Sequence, residues 1–348
     1  MNKLVMLVLT GLSVLIGSFF GSCTNELQTT GFDRKEERTT QVEAVTINTK
    51  IEKPIEQVDF VTSKVGWGLQ NGSVVLTTDG GRTWDLKAAA SRVPTDFAHV
   101  DIKDEFTRVV ALTPSSALAV QGGSIVRTTD GGNSWAKTEL VDVVVRDLSF
   151  VDVNHGWLVG EKRPTSKSDW LSCLYVTNDA GQSWTEVNLV QDSRKGIGTW
   201  WDVWGDTNDL WLVGDAILRS SDGGKSWDEV SVCDDVSGTP SEVGFLDELH
   251  GWLRTDQGSR FCITSDGGLS WETREFPEGL RGVKGLIQVD VHVFWVVGAN
   301  GAFVTRDGGY TWEMIVDGNF STGQYLGEEN QLIFAGDRVV SIRLPLSK

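Results

Sequence analysis

An eight-residue phrase that recurs six times restricts what this chain can fold into. Its first copy, over residues 77–84, reads Thr-Thr-Asp-Gly-Gly-Arg-Thr-Trp. Every copy has Ser or Thr two residues before a central Asp, Gly two residues after it, and Ser/Thr-Trp at the end. The central residues, 41 to 51 positions apart, are Asp79, Asp130, Asp179, Asp222, Asp266 and Asp307. A fixed period in the forties indicates a propeller or solenoid built from repeated short strands.

The phrase has the chemistry of a tight turn between two strands. An Asp carboxylate can accept backbone N–H groups across the turn, and Gly tolerates the positive φ at which the chain reverses. The terminal Trp opens the next strand with a large apolar face. Because the six Asp residues occupy equivalent positions, we interpret them as structural turn formers and not as catalytic or metal-binding carboxylates.

The rest of each repeat predicts three further strands. A β-rich run precedes each phrase, and before it lies a strand such as Gly-Trp-Leu-Val-Gly at 156–160. Residues 324–344 form a seventh unit without the phrase, and residues 42–50 alternate apolar and polar as an isolated strand. The sequence therefore predicts an all-β, seven-bladed β-propeller of four-stranded antiparallel blades, in which the N-terminal strand completes the last blade and closes the ring.

These motifs resemble a known repeat. The phrase resembles the Asp-box, or BNR repeat, and its combination with Gly-Trp-Leu-Val-Gly is similar to the photosystem II assembly and stability factor group of exported propellers. The resemblance implies a non-catalytic scaffold or assembly factor that binds a membrane-protein or envelope partner. The fold alone does not fix function, since one fold hosts many activities.

The N-terminus predicts export. Residues 1–22 combine Lys3 with an apolar run, which is typical of a signal peptide. They end in Gly-Ser before Cys23, which resembles a lipobox and implies lipidation of Cys23; an ordinary cleaved signal or a retained anchor are the alternatives. Residues 23–41 are polar and predict a flexible tether, and residues 42–348 form the propeller. We expect a periplasmic or cell-surface protein, lipid-anchored at Cys23.

The charge balance excludes some partners. The formal net charge of −17 argues against nucleic-acid binding, which requires a basic surface, and leaves no polybasic patch for anionic lipid. No Cys/His spacing indicates a metal site, so we expect no metal and no cofactor. We expect a monomer whose only membrane contact is the N-terminal lipid. Cys233 and Cys262 fall in successive blades and can form a disulfide, with buried free thiols as the alternative.

Topology predicts where binding residues cluster. If strands A to D alternate in direction, the A–B turns and Asp-box turns share one face, and the longer B–C loops and D–A connections share the other. This second face carries our candidate binding residues: Arg163, Trp170, Trp200, Trp201, Asp202, Asp256 and Arg260. Packing between blades 3 and 4 is the alternative for the two adjacent tryptophans, and a solvated loop is the alternative for Arg163. Trp204 has the same spacing to the next Trp as Phe150 and Phe245, which predicts a core position.

Two other function classes remain open. A carbohydrate-binding propeller would use the exposed tryptophans as stacking platforms for a glycan. A sialidase-like glycoside hydrolase needs a Tyr nucleophile, an Arg triad and an acid, and the chain has only Tyr175, Tyr310 and Tyr325. All three fall in repeat strands or an Asp-box, so the sequence predicts no enzyme.

Overall fold

Seven four-stranded antiparallel sheets form a propeller ring and confirm the predicted fold. The computed structural model describes residues 44–47, 51, 53–90, 105–162, 171–187, 199–205, 208–231, 233, 238–256 and 258–345. The expected signal peptide, Cys23 and the tether lie outside the described residues. Within each of the first six blades the strands follow chain order, A to D.

The first three blades contain strands β2 to β13. Those of blade 1 are β2 (Gln57–Phe60), β3 (Gly66–Gln70), β4 (Ser73–Thr77) and β5 (Asp85–Ala88). Those of blade 2 are β6 (Arg108–Thr113), β7 (Ser116–Gln121), β8 (Ser124–Thr128) and β9 (Ala136–Glu139). Those of blade 3 are β10 (Val143–Phe150), β11 (Gly156–Lys162), β12 (Leu171–Thr177) and β13 (Thr185–Val187).

The next three blades contain strands β14 to β25. Those of blade 4 are β14 (Trp200–Gly205), β15 (Leu210–Gly214), β16 (Ile217–Ser220) and β17 (Asp228–Glu229). Those of blade 5 are β18 (Pro240–Phe245), β19 (Gly251–Thr255), β20 (Arg260–Thr264) and β21 (Glu272–Glu275). Those of blade 6 are β22 (Val283–Asp290), β23 (Val293–Gly298), β24 (Gly301–Thr305) and β25 (Glu313–Asp317).

Blade 7 closes the ring with strands from both ends of the described chain. Its strands are β26 (Phe320–Leu326), β27 (Gln331–Gly336), β28 (Val339–Arg343) and β1 (Ala44–Ile47). Strand β1 pairs antiparallel with β28, with Val45 opposite Ile342. The N-terminal strand thus supplies the missing strand D, as predicted. A short 3-10 turn, Gly327–Glu329, links β26 to β27. No described helix is long and apolar enough to cross a bilayer.

The hydrophobic core is divided among the blade interfaces. Each pair of neighbouring blades encloses one cluster of buried apolar side chains. Trp67 lies between blades 1 and 2, Trp211 between blades 4 and 5, and Trp295 between blades 6 and 7. Ile333 and Phe60 belong to the cluster that joins blade 7 to blade 1. Burial of these large side chains, worth about 1.5–3 kcal/mol each, stabilises the ring at every seam.

The Asp-box turns form one repeated hydrogen-bond pattern. In the first copy, Asp79 Oδ1 accepts the N–H of Thr83 at 2.9 Å, and Asp79 Oδ2 accepts the Thr83 hydroxyl at 2.7 Å. The Thr77 hydroxyl donates to Asp79 Oδ1 and accepts the N–H of Gly81. Gly80 then donates to the carbonyl of Lys64 in the A–B turn of the same blade. The equivalent contact recurs in all six copies, so the Asp-box and A–B turns share one face.

Among the cysteines in the described residues, two form a bridge. Cys233, which follows β17, is joined to Cys262 of β20, so the disulfide links blades 4 and 5. Cys173 is a buried free thiol, and burial raises its pKa to about 12. Of the two alternatives for Cys233 and Cys262, the structure contains the disulfide.

Candidate functional site

A repeated irregularity in the innermost strand marks the face opposite the Asp-box turns. Strand A of blades 3 to 7 carries a β-bulge at the same position, opposite the end of strand B. A bulge leaves one residue unpaired and redirects its side chain. The five bulged residues are Arg146, Trp201, Ser241, Lys284 and Ser321. They surround the start of the inner strands, where the B–C loops and D–A connections lie.

In four of the five blades a glycine of strand B lies opposite the residue that precedes the bulge, and Thr255 takes this place in blade 5. A Cβ at Gly214 would lie 1.9 Å from the carbonyl oxygen of Thr199, and one at Gly336 would lie 2.2 Å from that of Asn319. At these two positions only glycine allows strand A to approach so closely. The bulge does not require this glycine, since blade 5 has the bulge opposite Thr255.

Trp201 is the one large aromatic side chain among the bulged residues. Its ring is 42% exposed, and the guanidinium carbon of Arg146 lies 5.4 Å from the ring centroid. Arg146 in turn forms a 2.7 Å ion pair with the buried carboxylate of Glu161. The Glu161 pair fixes the guanidinium, and the guanidinium supports the indole through a cation–π contact worth about 0.5–1 kcal/mol. The result is a preorganised aromatic platform, which we call the Trp201 patch (Arg146, Glu161 and Trp201).

Asp202, next to this patch, lies in the wall of an axial cavity. The cavity is about 530 Å³ and is lined by inner strands of blades 2 to 7. Asp202 Oδ2 accepts the N–H of Val243 in blade 5 at 3.0 Å, and Asp147 Oδ2 accepts that of Val203 in blade 4 at 3.4 Å. Each carboxylate therefore ties its own blade to the next one.

Neighbouring charges shift the pKa values of two groups in the cavity. Burial, the charge of Asp147 and a hydrogen bond to the Asp147 carboxylate raise the pKa of Asp202 well above its usual range. Burial alone would lower the pKa of Arg108. The nearby charges, above all Asp147 at 2.8 Å, outweigh burial and raise that pKa.

The remaining predicted binding residues take different positions. The Trp200 ring is 2% exposed and packs between blades 3 and 4, as the packing alternative describes. Asp256 accepts the N–H of Thr239 at 2.9 Å and ties the B–C loop to strand A. Asp215 and Asn300 make the same contact in blades 4 and 6. Arg260 pairs with Glu275 at 3.2 Å, on strands C and D away from the axis. Arg163 and Trp170 lie outside the described residues.

The prediction for Trp204 used the wrong register. Trp204 pairs with Trp211, whereas Phe150 and Phe245 pair with the glycines that begin strand B. The A–B turn of blade 4 is one residue shorter, so equal spacing to the following Trp does not give equal positions. Trp204 still packs against the core cluster between blades 4 and 5, is partly buried as Phe150 and Phe245 are, and lines the axial cavity. Sequence reasoning also missed Arg146, Ser241 and Lys284, because a bulge leaves no local composition signal.

Among the described residues the three tyrosines lie in different places, and Tyr325 lines the axial cavity with its carboxylates. Tyr175 is 9% exposed. Tyr310 lies in an Asp-box turn, and its ring stacks on the guanidinium of Arg274. The Tyr325 hydroxyl donates to Asn330 at 2.6 Å. Asp147 and Asp202 are in hydrogen-bond contact, closer than the about 5–9.5 Å that separates glycosidase carboxyl pairs. No group of three or more His, Cys, Asp or Glu side chains in the described part could hold a metal ion.

The family model and the matching sequences point to one group. The family described as Photosynthesis system II assembly factor YCF48 matches residues 133–275. Photosystem II assembly lipoprotein Ycf48 of Synechococcus sp. (strain CC9902) is 30% identical over 128 residues, which cover 36% of this chain and 35% of that protein. Photosystem II stability/assembly factor HCF136, chloroplastic, of Arabidopsis thaliana is 22% identical over 178 residues, covering 48% and 42%. These matches span less than half of either relative.

A solved structure is similar to this chain over a longer stretch than the two sequence matches. The structure described as YCF48 bound to D1 peptide superposes with a TM-score of 0.61 at 19% identity. The superposition covers 87% of this chain and 97% of that one. At this identity the likeness concerns the fold.

Proposed function

We propose that this seven-bladed BNR-repeat propeller, which is similar to the photosystem II assembly factors, is itself a non-catalytic assembly factor. It binds a membrane-protein partner through the face opposite the Asp-box turns. The observation that carries the proposal is the Trp201 patch, where an exposed indole is held in place by Arg146 and Glu161. Trp, Tyr and Arg side chains contribute a large share of the binding energy of protein interfaces. A side chain that is already held in place loses less conformational entropy on binding.

The rest of the proposal extends the sequence-based expectations. The protein is exported and reaches the membrane through a lipid on Cys23, and the relatives' names, a lipoprotein and a chloroplast factor, support this location. Because one similar structure is described as bound to a D1 peptide, a D1 peptide is the first partner to test. Arg163 and Trp170, which lie outside the described residues, are proposed as further contacts.

Capture of partners from membranes tests the proposal. Tagged mature protein is incubated with membranes of the source organism in mild detergent, and captured proteins are identified by mass spectrometry. We expect one membrane protein to be enriched and to be lost with Trp201→Ala. The matched control is Tyr310→Ala, which removes a 71% exposed aromatic side chain from an Asp-box turn.

Each result has a defined meaning. Loss with Trp201→Ala and retention with Tyr310→Ala supports the proposed face. Retention with Trp201→Ala and loss with Tyr310→Ala places the interface on the opposite face and contradicts the proposal. If no specific protein is captured and the protein binds a glycan array in a way that depends on Trp201, the carbohydrate-binding alternative is favoured instead.

A further inference from the structure

Blade 5 differs from the other blades on the Asp-box face. In every Asp-box the residue between the second Gly and the closing Ser or Thr is exposed. From blade 1 to blade 6 these residues are Arg82, Asn133, Gln182, Lys225, Leu269 and Tyr310. Blades 1 to 4 thus carry polar side chains at this position, whereas blade 5 carries an aliphatic side chain that is 82% exposed.

The A–B turn of blade 5 differs in the same way. One carbonyl of each A–B turn accepts the N–H of the residue that follows the central Asp of the Asp-box. From blade 1 to blade 6 this carbonyl belongs to Lys64, Ser115, Asn154, Asn208, Leu249 and His292. Among these six residues only Leu249 is apolar, and it is 52% exposed. Its 2.9 Å hydrogen bond from Gly267 holds the A–B turn and the Asp-box of blade 5 together.

A third exposed leucine lies in the same turn. The N–H of Leu246 donates to the carbonyl of His250 at 2.8 Å and closes the turn around Leu249. We call Leu246, Leu249 and Leu269 the blade 5 leucine patch. Single exposed leucines are common on protein surfaces, but three at one end of one blade, two of them at positions that are polar in blades 1 to 4, indicate a contact surface.

The N-terminal part of the chain joins the propeller on this face. Ala44, the first residue of β1, lies opposite Arg343, and Arg343 lies opposite Gln331, which follows the A–B turn of blade 7. Strand β1 therefore begins at the Asp-box face. Twenty residues separate Cys23 from Ala44, and they span at most about 70 Å. A lipid on Cys23, as proposed above, would hold the start of β1 within this distance of the bilayer.

Anchoring of this kind makes weak contacts with the bilayer effective. A surface that is tethered near a membrane meets it at a high effective concentration, so a few inserted side chains are enough for a stable orientation. Aliphatic side chains gain free energy when they enter the boundary between headgroups and acyl chains. The exposed residues Asp247 and Glu248 lie in the same turn, and the formal net charge is −17, so anionic headgroups are disfavoured.

We propose that the blade 5 leucine patch inserts into the surface of a bilayer of zwitterionic or uncharged lipids, as a second membrane contact besides the lipid on Cys23. The Asp-box face then lies against the membrane, and the Trp201 patch on the opposite face is presented to the aqueous phase. A partner would be bound there through a segment that extends out of the bilayer. The inference rests on the proposed lipid anchor and not on the Trp201 interface.

A dye at the patch tests the inference without requiring lipidation. The mature chain, residues 24–348, carries an N-terminal histidine tag and is attached to phosphatidylcholine vesicles that contain a nickel-chelating lipid. The environment-sensitive dye NBD labels a cysteine introduced by Leu269→Cys. The native thiols do not compete, since Cys173 is buried and Cys233 and Cys262 form the disulfide. We expect the NBD emission to rise at least about two-fold on attachment, because the dye leaves water.

Two other label positions serve as controls. Leu86→Cys places the dye at a 62% exposed leucine on the outer strand of blade 1, and its emission should stay within about 20% of the value in solution. Gln182→Cys places the dye at the equivalent Asp-box position of blade 3, and we expect at most about half of the increase seen at position 269.

A pair of substitutions measures the contribution of the patch to binding. Leu249→Asn combined with Leu269→Gln gives blade 5 the residues that Asn208 and Gln182 provide in other blades, so the turns are kept. We expect this double variant to bind the nickel-containing vesicles at least about five-fold more weakly than the parent protein. The matched control Leu86→Gln should bind within about two-fold of the parent. Replacement of part of the phosphatidylcholine by phosphatidylglycerol should weaken binding of the parent, and thermal melting checks that each variant is folded.

Several outcomes overturn the inference. These are no rise of emission at position 269, equal rises at positions 269 and 86, equal affinities of the double variant and Leu86→Gln, or tighter binding to phosphatidylglycerol. A rise at position 269 in native membranes but not in protein-free vesicles would assign the patch to a protein, and a rise with protein concentration alone would assign it to a second copy of the chain. Absence of a lipid on Cys23 in the native protein would refute only the anchor, and loss of Trp201-dependent partner capture would refute only the proposed interface.

Discussion

We expect the hydroxyl of the first residue in each Asp-box to stabilise the turn. Thr177 is 1% exposed, and its hydroxyl donates to Asp179 Oδ1 at 2.9 Å and accepts the N–H of Gly181 at 2.9 Å. Thr177→Val keeps the volume of the side chain and removes these two hydrogen bonds, together with a longer one at 3.4 Å from the N–H of Asp179. The N–H of Gly181 is then buried without a partner.

The expected loss follows from these two contacts. An unpaired buried N–H costs about 1–3 kcal/mol, and the loss of one donor to the carboxylate adds about 1 kcal/mol. We therefore expect Thr177→Val to lower the free energy of unfolding by about 2–4 kcal/mol. Urea denaturation followed by Trp fluorescence measures this loss as a lower midpoint at an unchanged m-value.

The chain supplies its own control for this experiment. Ser220 occupies the same position in the fourth Asp-box and makes the same two contacts at 2.8 Å. Thr177→Ser should therefore lose only a buried methyl group, worth about 0.8 kcal/mol. If Thr177→Val costs no more than Thr177→Ser, the hydroxyl does not stabilise the turn and our account of the repeat is wrong.

Three further predictions follow from charges and covalent links. Hydrogen bonds in the turn lower the pKa of Asp130 from 3.8 to about 2. The ionised carboxylate therefore stabilises the folded state above pH 4, and this stabilisation is lost as the pH falls through about 2. In a plot of Tm against pH, Asp130→Asn should reduce the fall of Tm at acid pH. Burial and Asp147 raise the pKa of Asp202, so the folded state is penalised as the pH rises above about 4; calorimetry should show Asp202→Asn raising Tm more at pH 7 than at pH 4. The disulfide of Cys233 and Cys262 spans 29 residues, so Cys233→Ser should destabilise by up to about 3–4 kcal/mol in thermal melts, and added reductant should affect only the parent protein.

The repeat made the fold predictable from sequence. Six copies of one turn at blade spacing determine where strands C and D meet, and the alternating residues 42–50 indicate the strand that completes blade 7. These are local patterns, since the carboxylate and the first hydroxyl of each Asp-box form hydrogen bonds within five residues. The pairing of β1 with β28 follows because an unpaired outer strand would leave the seventh blade incomplete.

The site was less predictable because it depends on register between strands. Trp200 and Trp201 are adjacent in sequence, yet one ring is 2% exposed and the other 42%, since only Trp201 occupies the bulge. The spacing of Trp204 gave the wrong strand register because one turn is shorter, although the ring packs against the core as expected. Arg146 of blade 3 contacts Trp201, which lies in the bulge of blade 4. Nothing in the sequence around Arg146 predicts this contact.

Site-specific crosslinking tests the central claim most directly. The photoreactive residue benzoylphenylalanine replaces either Trp201 or Tyr310 in the full chain, and irradiation in intact membranes is followed by mass spectrometry of the adducts. We predict that position 201 crosslinks to one membrane protein and that position 310 does not. Adducts of that protein from position 310 alone, or the absence of a protein adduct at position 201, would contradict the proposed binding face.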